Sequence, residues 1–114
     1  MGTYGGGALN PTVIADENRI SVLQTRGISI KPNPFNNRTQ IELNLLQFSP
    51  VSLTIYDMSG AKIRTLYQGS AGPGIKVFRW NGRDDRGNPS ASGIYIISIR
   101  MENRVYDRKV VLLK

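Results

Sequence analysis

The chain has 114 residues, of which 39% are hydrophobic and 20% charged, with 12 Gly, 6 Pro, no Cys and no His. That is one small domain with room for a tail, and roughly two thirds of its unfolded surface can be buried on folding, enough for a two-layer core without bridges or metal. The missing Cys excludes disulfide scaffolds, thiolate zinc sites and cysteine nucleophiles. The missing His removes imidazole bases and the commonest metal ligand, so the chain is read as non-enzymatic and without a cofactor.

The net charge of +7 comes from 15 Lys and Arg against 8 Asp and Glu, and it is unevenly placed. Up to Asp57 the bases Arg19, Arg26, Lys31 and Arg38 balance Asp16, Glu17, Glu42 and Asp57, so the whole excess follows residue 57. The bases there are spread over short segments and form no run, which suits a solvated face. No helix-turn-helix, zinc-finger or ribonucleoprotein signature accompanies them, so no nucleic-acid partner is expected. No apolar stretch approaches the ~20 residues of a membrane span, and Met1-Gly2-Thr3-Tyr4-Gly5-Gly6-Gly7 holds no hydrophobic export signal. An extracellular role would make the sequence a piece of a longer chain.

Residues 1–27 read as a flexible linker or upstream segment, Gly-rich to residue 10 and then carrying the small apolar clusters Val13-Ile14 and Ile20 to Leu23. From Ile28 onward, β-branched and aromatic runs alternate with Pro, Gly, Asn, Asp and Ser clusters. Ile28 to Lys31 is a short strand halted at Pro32-Asn33-Pro34. Thr39 to Leu45 puts Ile41, Leu43 and Leu45 on one face, and Val51 to Asp57 does the same with Val51, Leu53 and Ile55. Met58-Ser59-Gly60 turns the chain into a strand over Ala61 to Tyr67, with Gly60 supplying a positive φ.

A loop over Ser70 to Gly74 precedes a strand from Ile75 to Trp80, and Asn81 to Pro89 is too rich in turn formers to be regular. Gly93 to Met101 and Arg104 to Leu113 form the longest pair, joined tightly at Glu102-Asn103. Apolar residues alternate on both faces of the last run: Tyr106, Val110 and Leu112 oppose Val111 and Leu113. Such a strand is either central in its sheet or docks onto a partner. Pro32 and Pro34 either protect an edge or present a rigid epitope. About seven strands with alternate residues inward define an all-β, Ig-like antiparallel sandwich over residues 28–114.

Chemistry-bearing candidates are few. Asp84, Asp85 and Asn88 offer three oxygen side chains beside a glycine and form a candidate Ca²⁺ loop, although their spacing does not fit a Ca²⁺-hand. The simpler reading is that they cap their own turn through bonds to the backbone. Glu42 and Asp57 are the remaining carboxylates that could form an acid–base pair. Trp80 with Tyr56, Tyr67, Tyr95 and Tyr106 could line a sugar-binding face, but alternation with Phe78 points Trp80 into the core.

Four segments taken in order carry a resemblance: Lys31-Pro32-Asn33-Pro34-Phe35-Asn36, then Ile55-Tyr56-Asp57-Met58-Ser59-Gly60-Ala61-Lys62-Ile63, then Gly93-Ile94-Tyr95-Ile96, and Lys109-Val110-Val111-Leu112-Leu113-Lys114. Together they resemble the type A C-terminal sorting domain of the type IX secretion system. Trp80 to Pro89 with Ser92 to Tyr95 also resembles the Ig-like domain of flagellar hook-capping proteins, a related sandwich. Ala61 stands where the sorting family has Arg, and strand alternation places Lys62 on the opposite face.

The resemblance implies a folded address label carried by a larger cargo from a Bacteroidetes-like bacterium. It would be recognised by type IX machinery at the outer membrane and delivered, by way of the periplasm, to the cell surface or the medium without inserting into a membrane. It further implies a surface sortase that removes the label, here between Leu23 and Gly27. The recognition determinants would be Pro32, Asn33, Pro34, Phe35, Asn36, Tyr56, Asp57, Gly60, Gly93, Tyr95 and Lys109 to Lys114. A structural or adhesive Ig-like module, as in hook capping or a surface appendage, is the alternative.

Overall fold

The computed structural model describes residues 27–114; the apolar clusters of residues 13–23 and most of the implied cleavage segment lie outside the described residues. Seven strands follow in order: β1 (Ile28–Lys31), β2 (Thr39–Leu45), β3 (Ser49–Asp57), β4 (Lys62–Ala71), β5 (Gly74–Trp80), β6 (Gly93–Met101) and β7 (Arg104–Leu112). They form a three-stranded sheet in the order β1-β2-β5 and a four-stranded sheet in the order β4-β3-β6-β7, with every pairing antiparallel. This is the Ig-like two-sheet sandwich expected from the alternation.

The core follows from that alternation. Ile41, Leu43 and Leu45 of β2 face Val51, Leu53 and Ile55 of β3 and Ile97, Ile99 and Met101 of β6, all buried. Each such side chain contributes about 1.5–3 kcal/mol when taken from water, so the inward rows supply the driving force for stacking the sheets. The hairpin between β6 and β7 turns on Glu102 and Asn103 with φ of 52° and 64°. Two consecutive positive φ values give the tight turn whose twist matches antiparallel strands. Glu102 also accepts from the Leu46 and Gln47 amides at 2.8 and 3.3 Å, pinning the β2–β3 loop to this end of the sandwich.

Three expectations need correction. Ser70 and Ala71 continue β4 and Gly74 opens β5, so the connection is only Gly72-Pro73. In β4, Leu66 and Ile63 are extra residues opposite β3, where Thr54 pairs with Thr65 and Tyr56 with Lys62. These two irregularities break strict alternation and turn Ile63, Leu66 and Tyr67 toward the core. Ala61 lies in the turn, outside β4, so the strand-face contrast drawn between it and Lys62 does not hold. Finally, the central position that one of the two readings gave the last strand is not found: β7 is an edge strand, covered along part of its outer side by the chain's own Asn33–Phe35 segment.

Candidate functional site: the motif-bearing end

The four segments that carried the resemblance, far apart in sequence, meet at one end of the sandwich. Phe35 forms a parallel bridge with Leu112: its N–H donates to the Val111 carbonyl and its carbonyl accepts from Leu113 N–H, both at 2.9 Å. The Asn33 side chain extends this pairing. Its Nδ2 donates to the Lys109 carbonyl and its Oδ1 accepts from the Val111 N–H, each at 3.0 Å. Asn33 and Phe35 thus act as a short extra strand, one contributing its side-chain amide and the other its backbone, and they close the outer edge of β7 over Lys109–Leu113.

Beneath this clasp the aromatic side chains form a continuous stack. Phe35 lies 5.4 Å from Trp80, and Trp80 packs edge-on to Tyr95 at 5.3 Å. Trp80 has no exposed surface, and its Nε1 donates to the Arg83 carbonyl at 2.9 Å. The Tyr95 hydroxyl donates to the Ala91 carbonyl, and burial pushes its phenol above the ordinary tyrosine value. Gly82 fits beneath Leu112 and Phe35: a Cβ there would sit 3.5 Å from Leu112 and 3.7 Å from Phe35, and its φ of +76° favours glycine. An aromatic sugar platform built on Trp80 and Tyr95 is therefore not available, because both rings are inside.

The Tyr-Asp-x-x-Gly segment borders the same end, since Asp57 pairs with Tyr95 across β3 and β6. Asp57 organises the turn: one carboxylate oxygen accepts from Ser59 N–H, Ser59 Oγ and Ala61 N–H at 2.9, 2.6 and 3.0 Å. The Ser59 hydroxyl, then the Ala61 amide, hold its carboxyl below the ordinary value of 3.8. Gly60 takes φ +91° at the turn's tip.

Asp84 and Asp85 have separate tasks. Asp84 Oδ1 accepts from Arg86 and Asn88 N–H at 2.9 Å each, tying its own loop, while Asn88 contributes its backbone. Asp85 reaches the other edge of the four-stranded sheet, where its N–H donates to the Ile63 carbonyl at 3.0 Å and its Oδ1 accepts from Thr65 N–H at 3.1 Å. Among the described residues no three carboxylates gather around one point. Sequence reasoning missed the Asp85 bond to β4; nothing local marks it, because the partner lies 20 residues away.

Burial divides the sequence-derived recognition residues into three groups. Phe35, Tyr95, Val110 and Leu112 are buried and build the end from inside. Pro32, Asn33, Pro34, Asn36, Gly60, Lys109, Leu113 and Lys114 are exposed, while Tyr56, Asp57, Gly93 and Val111 are half-buried. Asn36 and Lys114 join Asn37, Asn81, Gly82, Arg83 and Pro89 around an open depression of about 400 Å³.

A sandwich of this topology with this clasped end defines an Ig-like domain, and a family model narrows the class. Residues 33–104 match the FlgD Ig-like domain, and the chain belongs to that family. Dimeric latent PorU from Porphyromonas gingivalis superposes with a TM-score of 0.62 at 13% identity, covering 75% of this chain and 9% of PorU. PorZ, described as an essential surface component of the type IX secretion system of the same organism, gives 0.56 at 24% identity over 82% of this chain and 12% of PorZ. FlgD from P. aeruginosa gives 0.52 at 22% identity, over 75% of this chain and 71% of FlgD. The chain thus spans about a tenth of the first two proteins, and at these identities the likeness is one of fold. No curated protein sequence matches significantly.

Proposed function

We propose that this domain is a non-enzymatic sorting signal that directs a larger cargo protein through the type IX secretion system to the cell surface. The observation that carries the reading is the convergence of the four ordered motifs on one end of the sandwich, where Asn33 and Phe35 clasp the last strand. A label of this kind must fold by itself, hold its terminal strand in a fixed shape and leave a defined surface for machinery to grip. Here the buried motif residues give the shape, and Asn36, Lys109, Leu113 and Lys114 face outward. The fold shared with PorZ, a component of that system, agrees with the reading. The partners are then the type IX machinery, a surface sortase and the upstream cargo.

The test fuses residues 28–114 behind a signal peptide and a fluorescent reporter and compares a type IX-competent strain with its secretion-deficient twin. The reading predicts surface display in the competent strain alone. Equal periplasmic retention in both, with the domain folded, overturns it. The second reading, a structural or adhesive Ig-like module, draws on the FlgD family match and on the 71% of FlgD that the chain covers. It predicts that retention together with self-association in light scattering.

A further inference from the structure

Register in the three-stranded sheet brings together bases that are distant in sequence. Lys31 pairs with Gln40, and Gln40 pairs with Arg79, so the three residues form one row across β1, β2 and β5. The neighbouring row, Ile30, Ile41 and Phe78, packs into or against the core. Alternation therefore turns the Lys31-Gln40-Arg79 row outward. With adjacent strands ~4.8 Å apart, the two cationic strand positions flank Gln40 across about 10 Å. Arg38 precedes Gln40 by two residues and is exposed like Lys31 and Arg79. Lys31, Arg38 and Arg79, with Pro32, Thr39 and Gln40, line a single concavity of about 120 Å³.

The walls are fixed before any ligand arrives. Thr39, itself buried, donates its hydroxyl to the Pro32 carbonyl at 2.7 Å, and the segment after Pro32 is held to β7 through Asn33 and Phe35. A rigid frame lowers the ordering cost of binding. The acids that could neutralise these bases are largely committed elsewhere. Of the six acidic residues in 27–114, Asp57, Asp84, Asp85 and Glu102 accept from backbone N–H groups. Glu42 shares the outward face, but it lies in the next row, between Ser29 and Val77.

We infer that Lys31, Arg38, Gln40 and Arg79 form a binding site for a single phosphate- or sulfate-type oxyanion. Two guanidinium groups present planar donor forks, the ammonium adds a point charge, and the Gln40 amide adds a further donor. A concavity of about 120 Å³ suits one tetrahedral anionic group. Lys31 and Pro32 also belong to the first of the export motifs, whereas Arg38, Gln40 and Arg79 lie outside all four, and the inference does not depend on that reading.

The test is an amide chemical-shift titration of the ¹⁵N-labelled 114-residue chain with inorganic phosphate, and separately sulfate, against chloride at matched low ionic strength. The expected result is saturable shifts confined to the amides of residues 31, 38–40 and 79, with a Kd on the order of millimolar. Binding should weaken about tenfold or more in the Arg38→Gln/Arg79→Gln double variant, which loses two charge-assisted contacts. The Arg104→Gln variant on the other sheet should bind like the parent.

Co-sedimentation with phosphatidylglycerol vesicles, against phosphatidylcholine, identifies the source of the group. Vesicle binding lost in the double variant but kept in Arg104→Gln points to a lipid headgroup, and the soluble anion alone points to a free ester. Shifts scattered over all surface bases, or equal losses in the double variant and Arg104→Gln in both arms, overturn the inference.

Discussion

Val111 and Asn33 stand 78 residues apart in sequence, and the backbone N–H of the first donates to the side-chain Oδ1 of the second at 3.0 Å. The Asn33 amide nitrogen returns a bond to the Lys109 carbonyl, so one side chain fills a donor and an acceptor on the same strand edge. Both ends of the four-stranded sheet are managed in this way, since Asp85 covers Ile63 and Thr65 on β4. Unpaired strand edges invite pairing with other chains. Here a loop residue on each side occupies part of that template.

Replacing Asn33 by Ala removes both bonds at once. At about 0.5–1.5 kcal/mol per bond, Asn33→Ala should destabilise the domain by about 1–3 kcal/mol, read from urea unfolding. Asn33→Asp should fall between parent and Ala, because a carboxylate still accepts from Val111 but cannot donate to Lys109.

Trp80 is fully buried between Phe35 and Tyr95, so its emission should be blue-shifted in the native state and move to the red on unfolding. Trp80→Ala should cost about 3–5 kcal/mol, the range for truncating a large buried aromatic, measured by circular dichroism in denaturant. An exposed-tryptophan spectrum in the folded protein would contradict the packing.

Leu112 and Leu113 are neighbours with opposite fates: the first is fully buried and the second 53% exposed. Leu112→Ala should lose about 2–5 kcal/mol and Leu113→Ala less than about 0.5 kcal/mol. Deleting Lys109–Lys114 also removes buried Val110 and Leu112, so the truncated domain should unfold, which circular dichroism will show. The proposed export role is better tested with Lys109→Ala and Leu113→Ala, which leave the core whole.

Asp57 gives a pH signature. Its folded-state carboxyl titrates below the ordinary 3.8, held there first by the Ser59 hydroxyl. The stability it contributes is therefore fully present above that ordinary value and is lost as pH falls through the folded-state value. Asp57→Asn should lower the urea midpoint at neutral pH and flatten its fall in acid. Parallel pH profiles for parent and variant would contradict this turn.

Much of this architecture was legible because β2, β3 and β6 alternate cleanly, and because Glu102-Asn103 has the length and composition of a tight hairpin. The aromatic plug could be placed through the alternation of Phe78 with Trp80. β4 was harder to read: extra residues at Ile63 and Leu66 scramble its period, and that irregularity belongs to the pairing with β3. The position of β7 was illegible for a related reason. Apolar residues on both faces suggested either a central strand or one that docks onto a partner, and the strand is an edge whose cover comes from Asn33 and Phe35, near the other end of the domain. The Lys31-Gln40-Arg79 row likewise exists only in the register, which no local pattern reveals.

Amide hydrogen exchange at Val111 and Leu113 tests most directly whether the Pro-Asn-Pro-Phe segment and the last strand form one unit. Their N–H groups point at Asn33 Oδ1 and the Phe35 carbonyl, on the outer side of an edge strand. Protection at both approaching that of the central strands, with Val111 losing most of it in Asn33→Ala, is the predicted result. Rapid exchange at both in the parent, as for an open edge, would contradict the clasp and remove the structural basis for treating the four motifs as one signal.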